Sequence, residues 1–328
     1  MNKKFQTFFF VAGLGIFSFL VFHFGIDKIV SNIKETSWWF VPIVGIWGLA
    51  YVFNAFSWSA IINRKANRLS FAEIYAITVS GFAINYITPV MNLGGEPYRI
   101  MMLKNKIGLN KAVSATISYT MIHFLSHFFF WISAIILISV FLPLSYELKL
   151  IFGIVFVVLV AAILFFISRH KNGIVESLLS LLAKLPMMKK ASEKIAGKMN
   201  FKDIDIGITE FYKKRKFDFI LAITWDYLAR IIAAMEFYFI LYAIGIHITI
   251  LEAVYISAAT SLITNILFFM PMELGTREGG TSVIMDSLHF ASGIGIYISV
   301  IYRIREFFWI LIGLILIKIN KNTIPEID

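Results

Sequence analysis

The sequence contains no cysteine, and this absence excludes disulfide bonds and metal sites built on cysteine ligands. Several short catalytic signatures are also missing. We find no H-E-x-x-H zinc motif, no G-x-S-x-G nucleophile motif, no P-loop and no paired-aspartate nucleotide-sugar motif. The usual sequence signatures of enzymes are therefore absent, and we predict no cofactor.

Charged residues are scarce, whereas apolar residues are abundant. Of the 328 residues, 59% are hydrophobic, 15% are charged and 33 are phenylalanines; the mean hydropathy is +0.80. A soluble domain does not have this composition, so we predict an all-α polytopic membrane protein. The formal net charge of +10 indicates basic residues held on the cytoplasmic side. Nucleic-acid binding is not expected, because these charges are interleaved with apolar segments.

Apolar segments long enough to cross a bilayer recur along the chain. The first, Phe5–Phe24, follows a basic start as in a signal sequence, but no small-residue cleavage site is evident, so we predict a retained span. We predict about six full spans in the cell membrane, with both termini cytoplasmic. The other five are Trp38–Ile62, Ala112–Leu142, Leu150–Ser168, Phe217–Ile244 and Gly293–Ile317.

The segment from Asn85 to Arg99, N-Y-I-T-P-V-M-N-L-G-G-E-P-Y-R, interrupts an apolar stretch. Prolines and paired glycines free backbone groups that inside a membrane need partners in protein or in a water-lined cavity. A carboxylate and a guanidinium at membrane depth each cost roughly 2.5–3.5 kcal/mol on insertion scales, so we expect a substrate path here. Because basic clusters flank both ends of Ser70–Met102, we predict a re-entrant hairpin.

A second copy of this pattern follows at an offset of 178 to 182 residues. Pro271 precedes Glu278 by seven residues, as Pro89 precedes Glu96. S-F-A-E and H-F-F-F-W in the first copy are echoed by T-I-L-E and E-F-F-W in the second. Three matches in order indicate an internal repeat, at about residues 70–142 and 249–317. With six crossings the two hairpins enter from opposite faces, so the repeat is predicted to be inverted, as in alternating-access transporters.

The repeats belong to a single predicted membrane domain, residues 1–328. Both begin with an S/T-x-x-E capping box, so Glu73 and Glu252 are expected to cap helices rather than to bind a ligand. Between the repeats lies the only long polar region of the sequence, 169–216. We predict that it forms a cytoplasmic amphipathic segment on an anionic leaflet.

The candidate binding residues lie in the two hairpins and in the last span. Backbone N–H groups near a restarting helix attract phosphate, and Arg99 and Arg277 are placed to clamp it bidentately. The alternative is that the glycines permit turns and the charges pair with each other. Charges in the middle of the last span are expected to face a central cavity. The predicted substrate-binding residues are Asn85, Gly95, Glu96, Arg99, Asn265, Arg277, Glu278, Arg303, Arg305 and Glu306.

Other polar residues within the spans are expected to be structural. Asp226 and Arg230, at i and i+4, predict an ion pair with Glu236 as a third member. His123 and His127 have a spacing compatible with metal binding, but no third ligand is evident. We therefore predict no metal site, and we expect packed or cavity-lining histidines.

The motif N-x3-P-x4-G-G-E-x2-R and its P-x3-G-x2-E copy resemble the lysylphosphatidylglycerol synthase transmembrane-region family, the flippase-like domain of multiple peptide resistance factors. The resemblance covers nearly the whole chain. It implies lipid translocation between leaflets, or help with it. Larger members also carry a soluble aminoacyl-transferase domain, which we do not expect in this sequence. Lipid aminoacylation by this chain alone is therefore not predicted. The matching positions are Asn85, Pro89, Gly95, Glu96, Arg99, Pro271, Gly275 and Glu278.

Three functional hypotheses follow. We favour a flippase-like protein that binds or translocates a phosphate-bearing phospholipid or polyprenyl lipid. The first alternative is a membrane enzyme, for example one transferring a glycosyl group from a polyprenyl-phosphate sugar, with Glu96 or His123 as base. The second alternative is an accessory subunit of a lipid-modifying system, bound through the 169–216 face. The expected partners are lipids with anionic headgroups, and either a second copy of the chain or a lipid-modifying enzyme.

Overall fold

The computed structural model of the protein describes residues 26–64, 66–67, 69–88, 94–141, 146–170, 200–266, 276–288 and 290–320. These residues form helices joined by short connections and include no strand. The predicted all-α fold is therefore confirmed for the described part of the chain. Several predictions fall outside it, namely those on the span Phe5–Phe24, on Pro89, Pro271 and Gly275, and on 171–199 within the amphipathic segment.

The helices occur where the apolar segments predict them. A 3-10 turn, Ser37–Trp39, joins the first helix to the second. The described helices are α1 Ile26–Thr36, α2 Phe40–Ile62, α3 Phe71–Ile87, α4 Gly95–Ile107, α5 Leu109–Phe141, α6 Tyr146–His170, α7 Phe201–Lys213, α8 Lys216–Ala243, α9 Ile250–Ile266, α10 Thr276–Ser287 and α11 Ser292–Asn320.

Two helical stretches of the described chain, Val30–Ile62 and Leu109–Phe141, are long and apolar enough to cross a membrane. Each has 33 residues, which at about 1.5 Å per residue exceeds a hydrocarbon core of about 30 Å. Shorter apolar helices are found at Phe71–Ile87, Lys149–Phe165 and Ile250–Ile266. The fold is thus that of a helical membrane protein, while the number of crossings and their direction remain predictions.

Both predicted capping boxes are present. The Ser70 hydroxyl accepts from the Glu73 amide, and the Glu73 carboxylate accepts from the Ser70 amide. At the start of α9, Thr249 and Glu252 make the same reciprocal pair. Each box satisfies two backbone donors that the first helical turn would otherwise leave unpaired. The two glutamates are therefore helix caps, as predicted.

Each capped helix is followed in the chain by a shorter helix. α3 ends at Ile87, Thr88 is extended, and α4 begins at Gly95. α9 ends at Ile266 and α10 begins at Thr276. We call α3 with α4 the first hairpin and α9 with α10 the second hairpin.

The order long helix, capped helix, short helix and long helix occurs twice, in α2–α5 and in α8–α11. Helix packing follows the same pattern. α2 packs along α8. α3 packs against α11, and in the same way its counterpart α9 packs against α5, the counterpart of α11. When each helix of one set is exchanged for its counterpart in the other, the same pairs of helices are therefore in contact. Each hairpin contributes to its own apolar core, around Ile84 and Leu103 in one case and Ile256 and Met285 in the other.

Candidate functional site

A cavity of about 850 Å³ lies between the two sets of helices, with walls from both hairpins. Five of the predicted binding residues line it. The first hairpin supplies Asn85, Glu96 and Arg99, and the second supplies Asn265 and Arg277. The fold thus brings two segments about 180 residues apart in sequence to one polar space.

Asn85 holds the restarting helix of the first hairpin in place. Its side-chain oxygen accepts a hydrogen bond of 2.6 Å from the amide of Gly95, the first residue of α4. This bond satisfies one of the donors that a helix N-terminus leaves unpaired. The buried Gly95 therefore connects the start of α4 to the end of α3.

Arg99 is the most buried charge of the first hairpin, with 1% of its surface exposed. Its Nη1 donates to the Glu96 carboxylate at 2.9 Å, one turn earlier on the same helix. The guanidinium also lies 5.0 Å and 5.2 Å from the ring centres of Phe82 and Tyr119, which stabilises the cation. Its Nε and Nη2, and the second Glu96 oxygen, have no hydrogen-bond partner among the described residues.

Gly81 makes the space that Arg99 occupies, and sequence reasoning missed it. A Cβ atom at Gly81 would lie 2.4 Å from the Arg99 Nε, and one at Gly95 would lie 2.2 Å from the Gly81 carbonyl oxygen. Two glycines at the crossing of α3 and α4 therefore allow the backbones to approach closely and seat the guanidinium between them. The sequence signal was available, since an isolated glycine within a helix often marks such an approach.

The charges of the second hairpin pair with α11. Arg277 Nη1 lies 2.8 Å from Glu306 Oε2, and its guanidinium is 4.3 Å from the ring centre of Tyr302. Glu278 accepts from Arg303 at 2.6 Å. Both pairs join the start of α10 to the middle of α11.

Arg305, the third charge in the middle of α11, lies behind the cavity wall. It forms a bidentate pair with Glu236 of α8, at 2.8 Å and 3.0 Å, and both side chains are fully buried. Trp47 donates to the same carboxylate at 2.6 Å, and the guanidinium stacks over the rings of Trp47 and Tyr302 at 3.9 Å and 4.0 Å. These two rings line the cavity, so they separate Arg305 from it.

Glu278, Arg303, Arg305 and Glu306 thus have carboxylate or guanidinium partners, and the cavity lining does not include them. The charges of the last span were expected to face the cavity, but Arg303, Arg305 and Glu306 are not among the described residues that line it. Glu236 also differs from the prediction, because it pairs with Arg305 and not with Asp226 and Arg230. The physical reason is that Trp47 and Arg305 together satisfy both of its oxygens.

Asp226 and Arg230 form the predicted ion pair, at 3.1 Å. Both histidines of α5 contact this pair. His123 Nδ1 lies 3.1 Å from Asp226, and His127 Nε2 lies 2.6 Å from Arg230 Nη1. Arg230 also donates to the His123 carbonyl and to Ser126. We call Asp226, Arg230, His123, His127 and Ser126 the histidine cluster.

His123, His127 and Arg230 line the cavity, whereas Asp226 lies fully buried behind them. The histidines are therefore cavity-lining, as predicted. Among the described residues, no group of three or more histidine, aspartate or glutamate side chains is arranged to hold a metal ion.

The ion pairs give the cavity surface a positive character. Three guanidinium groups, those of Arg99, Arg230 and Arg277, line it, whereas Glu96 is the one carboxylate among the described lining residues. The carboxylates paired with Arg230 and Arg277, those of Asp226 and Glu306, are not among the described lining residues. The site is thus neutral as a whole but presents its cations inward, an arrangement that attracts an anion.

One wall of the cavity is apolar. Phe124 of α5 and Ile154 and Val158 of α6 line it, and they are 43%, 57% and 60% exposed. Side chains this exposed do not enclose a sealed cavity, so the space is open along α5 and α6. The cavity therefore has a charged interior and an exposed apolar wall along α5 and α6.

Comparison of the sequence with known proteins identifies a family. The sequence model described as Lysylphosphatidylglycerol synthase TM region matches residues 9–313. No curated protein matches the chain, and no solved structure does.

Proposed function

The chain belongs to the lysylphosphatidylglycerol synthase TM region family, and from this premise we propose that it binds a phosphate-bearing lipid in the cavity and moves the headgroup between leaflets. The observation that carries the proposal is the cavity itself, with three arginines inside and an apolar wall along α5 and α6. A water-soluble solute needs no apolar entrance. A lipid needs both parts, because its headgroup and its chains require different surroundings.

In the proposed complex, the phosphate lies beside Arg99 and Arg277. Arg99 keeps Nε and Nη2 without a described partner although it is almost fully buried. Leaving such donors unpaired costs about 1–3 kcal/mol each, so an acceptor that binds there gains that energy. Glu96, whose second oxygen also lacks a described partner, would orient the headgroup or bind a cationic part of it.

Movement of the headgroup would follow from the internal repeat. The packing of α2–α5 and α8–α11 has the exchange symmetry expected of two related halves. We propose that these halves are inverted in the membrane, with the hairpins entering from opposite faces, so that the cavity opens alternately to each leaflet. We further propose a multi-pass protein of the cell membrane with cytoplasmic termini.

Reconstitution into liposomes tests the proposal. Fluorescent phosphatidylglycerol and a fluorescent polyprenyl phosphate are placed in both leaflets, and the outer pool is quenched chemically. Active protein should make more than the outer half of the label accessible. Arg99→Gln should slow this exchange about tenfold or more, as expected for the loss of a charge-assisted contact of about 1.5–3 kcal/mol.

The control is Lys214→Gln, which removes a cation whose side chain is 73% exposed and is not among the described residues that line the cavity. It should exchange lipid at the wild-type rate. Folded wild-type protein that exchanges neither lipid would contradict the proposal, with folding checked by thermal unfolding in the same detergent.

A second candidate function, an enzyme acting on a lipid-linked substrate, gains support from one observation. His123 lines the cavity and contacts the buried Asp226 at 3.1 Å, the arrangement of a base oriented by a carboxylate. Incubation with a polyprenyl-phosphate sugar, followed by mass spectrometry, distinguishes the two functions. An enzyme yields a covalent product that His123→Gln or Glu96→Gln abolishes, whereas a transporter yields none.

A further inference from the structure

The histidine cluster contains groups that the proposed lipid site does not use. Arg230 has four described acceptors: Asp226, Ser126, the His123 carbonyl and the His127 ring. An arginine side chain carries five N–H donors and no acceptor. Its contact with His127, 2.6 Å from Nη1 to Nε2, therefore requires a lone pair on that ring nitrogen.

This requirement fixes the protonation state of His127 in the structure. A histidine that accepts at Nε2 carries its proton on Nδ1 and is neutral. A second proton would convert the acceptor into a donor and place two cations within hydrogen-bond distance. Arg230 and protonated His127 must then separate, and Arg230 lines a cavity that gives it room to turn inward.

The surroundings leave few other charges to oppose this change. On α8, Asp226 and Arg230 face His127, and His123 lies one turn away on its own helix. Farther along the cavity wall are Glu96 and Arg99 on α4. The remaining titratable or charged lining residues are Tyr51 on α2, Tyr86 on α3, Tyr119 on α5, Arg277 on α10 and Tyr302 on α11; the described lining residues of α6 and α9 are uncharged and not titratable.

We propose that the histidine cluster is a proton-binding site coupled to the anionic headgroup, an inference that rests on the proposed lipid binding. Uptake of one proton by His127 breaks its hydrogen bond with Arg230. The Nη1 group of Arg230, which loses its acceptor in this step, then pairs with the phosphate of the bound lipid. Proton and anionic lipid thus bind together, and the combined step adds no net charge to the cavity when the headgroup carries a single negative charge.

The test measures binding of short-chain phosphatidylglycerol to the detergent-solubilised full chain across pH. A phosphodiester keeps one charge between about pH 5.5 and pH 8, whereas a phosphomonoester itself titrates near pH 6, so the diester isolates the protein's proton. Wild-type protein should bind about tenfold more tightly at the acidic end, a coupling of ordinary size. By reciprocity, lipid binding should take up protons, approaching about one per lipid in a weakly buffered solution.

His127→Gln is the informative variant, because its amide oxygen still accepts from Arg230 but cannot be protonated. We expect it to bind lipid with an affinity that is independent of pH and without proton uptake. His247→Gln is the matched control, since His247 is exposed in the connection between α8 and α9, and it should behave as wild type.

Several results would overturn the inference. One is wild-type binding that is equal across pH and takes up no proton. Another is a pH response that survives in His127→Gln or that His123→Gln abolishes instead. Absence of binding at every pH would refute the proposed function, and this inference with it. Should His127→Gln give no folded protein, the wild-type measurement still tests the inference, because lipid binding without proton uptake would contradict it.

Discussion

Arg99 of the first hairpin and Arg277 of the second both line the cavity, yet their carboxylate partners come from different places. Arg99 pairs within its own helix, one turn from Glu96. Arg277 pairs with Glu306 in the middle of α11. The first hairpin thus keeps its charge pair when it moves as a unit, whereas the second keeps its pairs only when α11 moves with it.

The asparagines of the two hairpins show the same difference. Asn85 accepts from the amide of Gly95, so it ties the end of α3 to the start of α4. Asn265, its counterpart in the predicted repeat, donates to the Ser261 carbonyl of its own helix and is exposed. One sequence pattern therefore serves two roles: a hairpin stabilised internally, and a hairpin stabilised by attachment to its neighbour.

The largest expected effect concerns the pair that holds α11 itself. Glu236→Leu should lower the free energy of unfolding by about 3–5 kcal/mol, because it leaves the Arg305 charge buried without its carboxylate. Since α11 carries the partners of the second hairpin, that hairpin should loosen with it. Thermal or denaturant unfolding in detergent measures the change.

The double variant Glu236→Leu with Arg305→Met supplies the control. Replacing both members of a buried pair by apolar residues is often neutral, so most of the lost stability should return. A double variant as unstable as the single one would show that the pair itself is not the cause.

The next prediction compares the two hairpins directly. Glu96→Gln and Glu306→Gln each weaken a charge-assisted bond to an arginine, so each should cost about 1.5–3 kcal/mol. Hydrogen exchange should then differ in location. Glu306→Gln should increase exchange in α10 and α11 together, whereas Glu96→Gln should increase it in α4 with little change in α10. Equal patterns in the two variants would contradict the asymmetry of the hairpins.

Two glycines, one in each hairpin, are expected to respond differently to replacement by alanine. Gly81→Ala places a methyl group 2.4 Å from the Arg99 Nε, and such overpacking costs about 1–3 kcal/mol. Gly279→Ala, in α10 of the second hairpin, meets nothing within 4 Å, and alanine favours a helix over glycine by about 0.5–1 kcal/mol. Unfolding should therefore show loss at the first position and gain or no change at the second.

Features set by local sequence were predictable. Composition indicates an all-α membrane protein, and S/T-x-x-E at Ser70 and Thr249 specifies two helix starts, because a capping box involves four consecutive residues. The glycines and prolines between Asn85 and Arg99 predict a helix break, since glycine and proline act on their own backbone. Both hairpins line one cavity, while the internal repeat stays a prediction from the sequence.

Side-chain pairs between different helices were harder to predict from the sequence. Spacing of i and i+4 identifies Asp226 with Arg230, but it says nothing of partners on another helix. Glu236 and Arg305 lie 69 residues apart, and no local pattern joins them. The position of Arg305 behind Trp47 likewise depends on how α2, α8 and α11 pack. The role of Gly81 became clear only when Arg99 was seen against it.

The smallest expected effect lies where the start of α3 meets the end of α4, because Lys106 of α4 there donates a hydrogen bond to Glu73 of α3. Partial burial raises the pKa of Glu73, but hydrogen bonds from Lys106 and Ser70 outweigh it and lower the pKa below its ordinary value of 4.5. A lowered pKa stabilises the fold at pH values above 4.5, and this stability is lost as the pH falls through the folded pKa. Glu73→Gln should therefore lower stability near neutral pH by only about 0.2–1 kcal/mol, since the pair is partly exposed. The difference from wild type should shrink in acid, and unfolding temperatures of the two proteins at about pH 7 and pH 3.5 measure it. Persistence of the full difference in acid would show that Glu73 acts through packing, and the ion pair with Lys106 would then not distinguish the first hairpin.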